Sequence, residues 1–327
     1  MLSDRRAAPS GSATPTGRWV VPVLSVLFVP LWASGFIVGK IATGHMQVPT
    51  VLLWRFVVAL VVMGAVVAVS RPARPRGSAW LHLAVTALLL QVGQFSLVYS
   101  GLSHGVPAGL SSLILGMAPL LVGLLTPLVL STRLGVAPVL GLLIGACGVY
   151  IVLSDDLGGG PGMQVIFPVL GMLTLTAGTL YQKRFNDDSP VTTSVVVQML
   201  TSLVVTVVAM PFLGADWLPR DAAGWAAVVW LGVFNSAAAF ALMFLLLRWR
   251  STVHVSALLN LVPATTALVA VPVLGEPLTV RAVLGLAVAL VGMYVGLGLV
   301  RRFTGLDRRF RALTRDPQRL STPKRRS

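Results

Sequence analysis

Few residues of this chain could do chemistry, and each stands almost alone. Glu276, in PVLGEPLT at 272–279, is the only acid between Asp221 and Asp307. A carboxylate between two apolar runs is a proton relay, a catalytic acid or a turn residue. GLSHG at 101–105 has the G-x-S-x-G spacing of a nucleophile elbow, with His104 beside Ser103. That motif needs a strand-to-helix turn and an acid behind the histidine. No strand pattern is near it, and the next acids are Asp155 and Asp156. A glycine-rich helix connection is therefore favoured over a hydrolase built on Ser103. Cys147 is the single cysteine and sits in an apolar run, so it forms no internal disulfide and is expected to be packing. No Cys/His metal spacing and no phosphate-loop pattern occurs, so neither a metal nor a cofactor is expected.

The solvent for these residues follows from composition. The chain is 56% hydrophobic and 11% charged, with a mean hydropathy of +0.87. Soluble domains carry roughly a quarter charged residues, so this is an all-α, polytopic membrane protein. The net charge of +15 has no soluble basic domain behind it, which excludes nucleic acid as a partner. About 20 apolar residues cross a bilayer as a helix. Ten spans are expected, near 19–39, 49–70, 79–99, 106–130, 135–153, 163–182, 190–213, 222–247, 252–274 and 279–300. Breaks such as RPARPRG (71–77), DDLGGGPG (155–162) and NDDSP (186–190) carry turn chemistry. With ten spans, one face holds 21 Lys and Arg and the other holds Lys40, Arg220 and Arg281. The positive-inside bias puts both termini in the cytoplasm of a plasma (inner) membrane.

The chain contains a duplication. Residues 106–153 laid on 250–297 match at about 14 of 48 positions, among them Pro119/Pro263, Gly141/Gly285, Gly148/Gly292 and Tyr150/Tyr294. A nearly equal offset sets Lys40 on Lys183 and Arg55 on Gln198. Each half thus has five spans, and an odd number makes the second half enter from the opposite face. Two inverted five-helix repeats, 19–153 and 163–300, are the plan of many secondary transporters. The expected flanks are a disordered tail at 1–18 and a basic tail at 301–327.

Matched interruptions in two halves point to a midplane site. Pro119 and Pro263 break the backbone ladder near the centres of the fourth and ninth spans. Ser111, Ser112, Ser256, Asn260, Thr265 and Thr266 lie near them; they line a cavity or bond to their own backbone. Gln91 and Gln94 share a face of the third span, with Tyr99 near its outer end. Trp32, Ser34 and Asn235 either line the same cavity or bond between helices. Arg55 lies six residues into its span, about 9 Å along the axis. Buried charge is usually functional, but that depth favours snorkelling to the surface or a structural pair. Lys40 is expected at the outer end of the first helix, and His254 packs at the start of the ninth. Gly141/Gly145 and Gly292/Gly296 suit close helix packing. In PVLGEPLT, Gly275 suits a helix end and Pro277 the first turn of the next. Glu276 would then face the positive end of the tenth helix, with uncharged Thr132 of STRLG at the matching place in the first half.

The stretches LWASGFIVGK (31–40), PTVLLWRF (49–56), AGLSSLILGMAPL (108–120) and VSALLNLVPATTALVAVPVLGEPLTVRAVLGLAVALVGMY (255–294) resemble the EamA-type members of the drug/metabolite transporter superfamily. The resemblance spans about 19–300 and implies ten helices, two inverted halves and export of small metabolites or drugs, amino-acid-like compounds included. One departure is Thr132, where the family usually has an acid. No Asp or Glu lies well inside a span, so carboxylate-coupled proton antiport is not expected and uncoupled or weakly coupled efflux is preferred. A non-transporting receptor or scaffold would not need matched prolines. In the tail, Phe303, Leu306, Phe310 and Leu313 step along one helical face among arginines, which suits a surface helix over 301–314 on anionic lipid. The residues name no oligomeric state.

Overall fold

The computed structural model describes residues 17–70, 75–130, 136–154, 162–185, 191–249 and 252–296. Thr132 and both tails lie outside the described residues, as do the side chains of His254 and Ser256. The regular elements among the described residues are all helices, with no strand. Among the described residues nine helical segments are long and apolar enough to cross a membrane, and Val280–Gly296 is a shorter tenth. Hydrocarbon offers the backbone no hydrogen bonds, so an apolar chain satisfies its own N–H and C=O groups as helix.

The helices are α1 (Gly17–His45), α2 (Val48–Ser70), α3 (Ala79–Ser103), α4 (Ala108–Gly116, then Ala118–Leu130), α5 (Val136–Ser154), α6 (Gly162–Phe185), α7 (Val191–Leu213), α8 (Ala222–Trp249), α9 (Thr252–Leu259, then Val262–Leu274) and α10 (Val280–Gly296). The Thr-diluted stretch at 163–182 forms a full helix, since Thr174, Thr176 and Thr179 donate to the carbonyls of Gly171, Met172 and Leu175 one turn earlier. Helix α1 runs five residues past Lys40, so Lys40 is inside the helix and not at its end.

α1 packs along the whole of α8 and on the second piece of α9, while α6 packs along the whole of α3 and on both pieces of α4. α2 and α7 also pack on each other, α2 against α8 and α7 against α3 besides. Two further irregularities recur in both halves. α3 contains a π-helical segment at Leu88–Gly93 and α8 one at Leu231–Ala238. α4 breaks at Met117 and α9 at Asn260–Leu261, each break followed at once by the paired prolines. Pro119 and Pro263 thus open the second pieces, where a missing N–H is least costly.

α5 and α10 meet through glycine. A Cβ on Gly148 would stand 2.5 Å from the Gly285 carbonyl oxygen, one on Gly141 2.6 Å from Gly296 Cα, and one on Gly292 2.6 Å from Gly145 N. Such surfaces let backbones touch where lipid supplies no hydrophobic drive. Cys147, expected to be packing, is instead exposed on α5.

Because the obstacle at Gly148 is backbone, no side-chain rotation relieves it. Gly148→Leu is expected to destabilise the protein by at least the 1–3 kcal/mol typical of overpacking, roughly, whereas Gly64→Ala, with nothing near its Cβ, leaves stability unchanged or slightly raised. Melting of the two variants in one detergent checks this. Equal melting points would refute the seam.

Candidate functional site

Arg55 is the largest fully buried side chain, 1% exposed. Its Nε donates to Ser236 Oγ (2.9 Å) and its Nη2 to Asn235 Oδ1 (3.0 Å). Nη1 donates to the Tyr99 hydroxyl, and the guanidinium carbon stands 3.7 Å over the Phe95 ring. So Arg55 does not snorkel. The depth argument treated α2 as facing lipid, whereas α3 and α8 close over this face. All partners are neutral, so it is not an ion pair either.

The cage depends on α1. A Cβ on Gly35 would meet Asn235 Nδ2 at 2.5 Å, and one on Gly39 the Tyr99 ring at 2.6 Å. The GFIVG run therefore lets both Arg55 partners lie against the α1 backbone. Asn235 Nδ2 also donates to the Leu31 and Trp32 carbonyls at 3.3 and 3.4 Å. Ser34 donates to Leu31 O and accepts from Trp230 Nε1. Trp32, Ser34, Tyr99, Arg55 and Asn235 thus come together, while Ser236 and Phe95 complete the cage unanticipated by the sequence.

The other candidates are scattered. Gln91 lies in the α3 π segment and Gln94 just after it, both buried. Asn235 and Gln91 are 144 apart, the offset of the duplication. Asn235, in the second half, is satisfied by Arg55 of the first. Gln91 Oε1, in the first half, is buried without a partner. Ser111 Oγ is likewise buried and unpartnered, whereas Ser112 and Thr266 bond to their own helices. Asn260 and Thr265 are partly exposed at the α9 break.

Glu276 is held differently from the expectation. Its Oε1 accepts from Lys40 Nζ at 2.6 Å, and both carboxylate oxygens accept from Ala108 N at 2.9 and 3.0 Å. It therefore caps α4 and not α10, whose first turn is capped by Thr279 Oγ1 accepting from Ala282 N. Pro277 precedes α10 and is not in its first turn. Gly275, at φ +67°, ends α9 as expected. Lys40 also donates to Val106 O. Nearby ties join the same end of the bundle: Thr50 to Asp216 O, Asp216 N to Gln47, and Trp54 to Trp217 O. His45 Nδ1 meets Asp221 at 2.7 Å, and Asp221 accepts from Gly224 N to cap α8. The Gly224 N–H, and after it the His45 ring, hold the Asp221 carboxyl below the usual carboxylate range. At the opposite end, Arg184 donates to Val129 O and His82 pairs with the Tyr181 hydroxyl.

The profile of the EamA-like transporter family matches residues 20–154 and 162–297. The chain belongs to that family. A Salmonella typhimurium protein named "Probable amino-acid metabolite efflux pump" is 27% identical over 84% of this chain and 93% of its own length. An Escherichia coli protein of the same name is 26% identical over 84% and 94%. An Archaeoglobus fulgidus "Uncharacterized transporter" is 22% identical over 85% and 98%. One solved crystal structure shares the fold at a TM-score of 0.63 and 18% identity, covering 87% of this chain and 99% of its own. This is a multi-pass membrane transporter and not an enzyme. Accordingly, Ser103 Oγ donates to Ser100 O, and His104 Nδ1 bonds the same carbonyl while its ring stacks on Phe167. Among the described residues no group of His, Cys, Asp and Glu could hold a metal ion.

The Asp221 cap carries a pH signature. A depressed folded-state value contributes stability that is complete above the unfolded value, about pH 3.9, and is lost as pH falls through the lower folded value. Melting followed downward from pH 6 is expected to show this acid limb, and Asp221→Asn is expected to flatten it. An identical limb in the variant would exclude Asp221 as its source.

Proposed function

We propose that the chain exports small amino-acid-like metabolites from the cytoplasm across the inner membrane, by alternating access between two inverted halves. One observation carries the mechanism. The first piece of α4 packs closely on the second piece of α9, next to Lys40 and Glu276, whereas among the described residues nothing comparable joins the second piece of α4 to the first piece of α9. The duplication exchanges these two pairings. A chain of two like halves is thus closed at one end through a contact whose counterpart is unmade at the other. Making the second and breaking the first would turn the pathway over.

The latch is one-sided in chemistry as well. Lys40 and Glu276 correspond to Lys183 and Thr132, so the place that Glu276 takes in one half carries no carboxylate in the other. The Lys40–Glu276 pair is part-buried, with side chains 23% and 12% exposed. Charge-assisted bonds of this kind contribute about 1.5–3 kcal/mol, enough to bias the resting protein toward closure at the Lys40 end. With both termini cytoplasmic, that end is external and the rest state opens inward, as suits an exporter collecting from the cell. Amino-acid-like cargo is supported by the names of two relatives. The absence of Asp and Glu within the spans supports movement without a carboxylate proton relay.

Comparing extracellular metabolites with and without overexpression tests export, and proteoliposomes with and without a pH gradient test coupling. The mechanism has its own test. In a Cys147→Ala background, cysteines at Asn260, Ser112 and Gln94 are expected to react with a water-soluble thiol reagent from the cytoplasmic side. Glu276→Gln keeps a cap acceptor but loses the ion pair, and should raise labelling of Ser112→Cys from outside about tenfold, a 1.4 kcal/mol shift. Protection at all three sites from both sides, or no response to Glu276→Gln, would refute this picture.

A further inference from the structure

We infer that the Arg55 cage is an anchor for the carboxylate of the transported molecule. This rests on the transport reading and adds to it a charge class and a contact atom by atom.

The guanidinium has five N–H donors, and three are engaged, by Ser236, Tyr99 and Asn235. One N–H remains on each of Nη1 and Nη2. Two donors on one rigid plane match the two oxygens of a carboxylate. Phe95 covers a face of that plane, so a ligand approaches edge-on, where the free N–H groups lie. The Tyr99 hydroxyl accepts from Nη1, which leaves its own proton available as a third donor.

The charge balance makes the same demand. A buried cation is costly unless an anion meets it. Asp216, Asp221 and Glu276 are the acids among the described residues, and they are bound to Arg220, His45 and Lys40. Arg55 has neutral partners alone. Packing does not require the charge, because the duplication puts Gln198 at the matching place in the other half, where it is equally buried. One half keeps a neutral amide there and the other keeps a cation with an unfilled fork. A single guanidinium, with Lys40 committed to Glu276, suits one negative charge; a phosphate would need more. Monocarboxylates, amino acids among them, fit.

The test uses the full-length protein in proteoliposomes. Labelled leucine, threonine and phenylalanine are compared with their amides, which keep the amine and side chain and lose the carboxylate. Wild type is expected to carry the acids at least tenfold faster. Arg55→Gln should abolish that preference, Arg55→Lys should keep part of it because charge survives without the fork, and Tyr99→Phe should reduce it several-fold. Melting profiles report folding, and the wild-type acid-to-amide ratio stands without any variant. Amides carried as fast as acids by wild type, or Arg55→Gln keeping the preference, overturns the assignment. An export screen finding only neutral or cationic cargo overturns it too while leaving the exporter standing. A screen in which overexpression exports nothing overturns the exporter reading first, and the anchor with it.

Discussion

A guanidinium enclosed in a bilayer-spanning bundle must find its hydrogen bonds in protein or in cargo, because lipid offers it none. Around Arg55 that requirement reaches into four helices. The amide and hydroxyl that meet it come from consecutive residues of α8, Asn235 and Ser236, both inside a π segment. A π turn changes the angular spacing of neighbours, and such segments recur at functional positions. The phenol comes from α3, and α1 contributes absence: two glycines where side chains would stand in the way. A helix surface stripped at Gly35 and Gly39 is thus as much part of the cage as the residues that touch Arg55.

The same logic of subtraction joins the halves. α5 and α10 touch backbone to backbone along Gly141, Gly145, Gly148, Gly285, Gly292 and Gly296. Elsewhere the halves are alike in plan and unlike in chemistry. α3 and α8 share a π segment, α4 and α9 share a break, and one offset relates them. Yet Arg55 is answered by Gln198, Glu276 by Thr132 and Asn235 by Gln91. In the proposed cycle, symmetry in the backbone would leave two end states comparable in energy, and asymmetry in these side chains would choose between them.

The fold was largely legible in the sequence, for physical reasons. Hydrocarbon forces apolar runs into helix, so runs report helices directly. Prolines report breaks, and Pro119 and Pro263 stand where α4 and α9 resume. Contacts between distant residues left less trace. Lys40 and Glu276 are 236 residues apart, so Glu276 was assigned to the neighbouring α10 when its partner was the start of α4. Arg55 was judged from its depth alone, and depth does not say whether a helix face meets lipid or protein. LWASGFIVGK displays its Gly-x-x-x-Gly spacing, but nothing in it says that Tyr99 and Asn235 lie over the gaps. The π segments have no residue signature here and became visible only in the backbone.

Glu276 serves two masters with one carboxylate: the Lys40 ammonium and the first N–H of α4. In the proposed cycle, drawing α9 away would take that carboxylate from both in the same movement. Neither would be released by degrees, since the oxygens that neutralise the cation also satisfy the helix. Opening would then be cooperative at the scale of a single residue. A gate of that kind would spend little time ajar, and a half-open gate is what would let ions leak through a membrane the cell must keep charged.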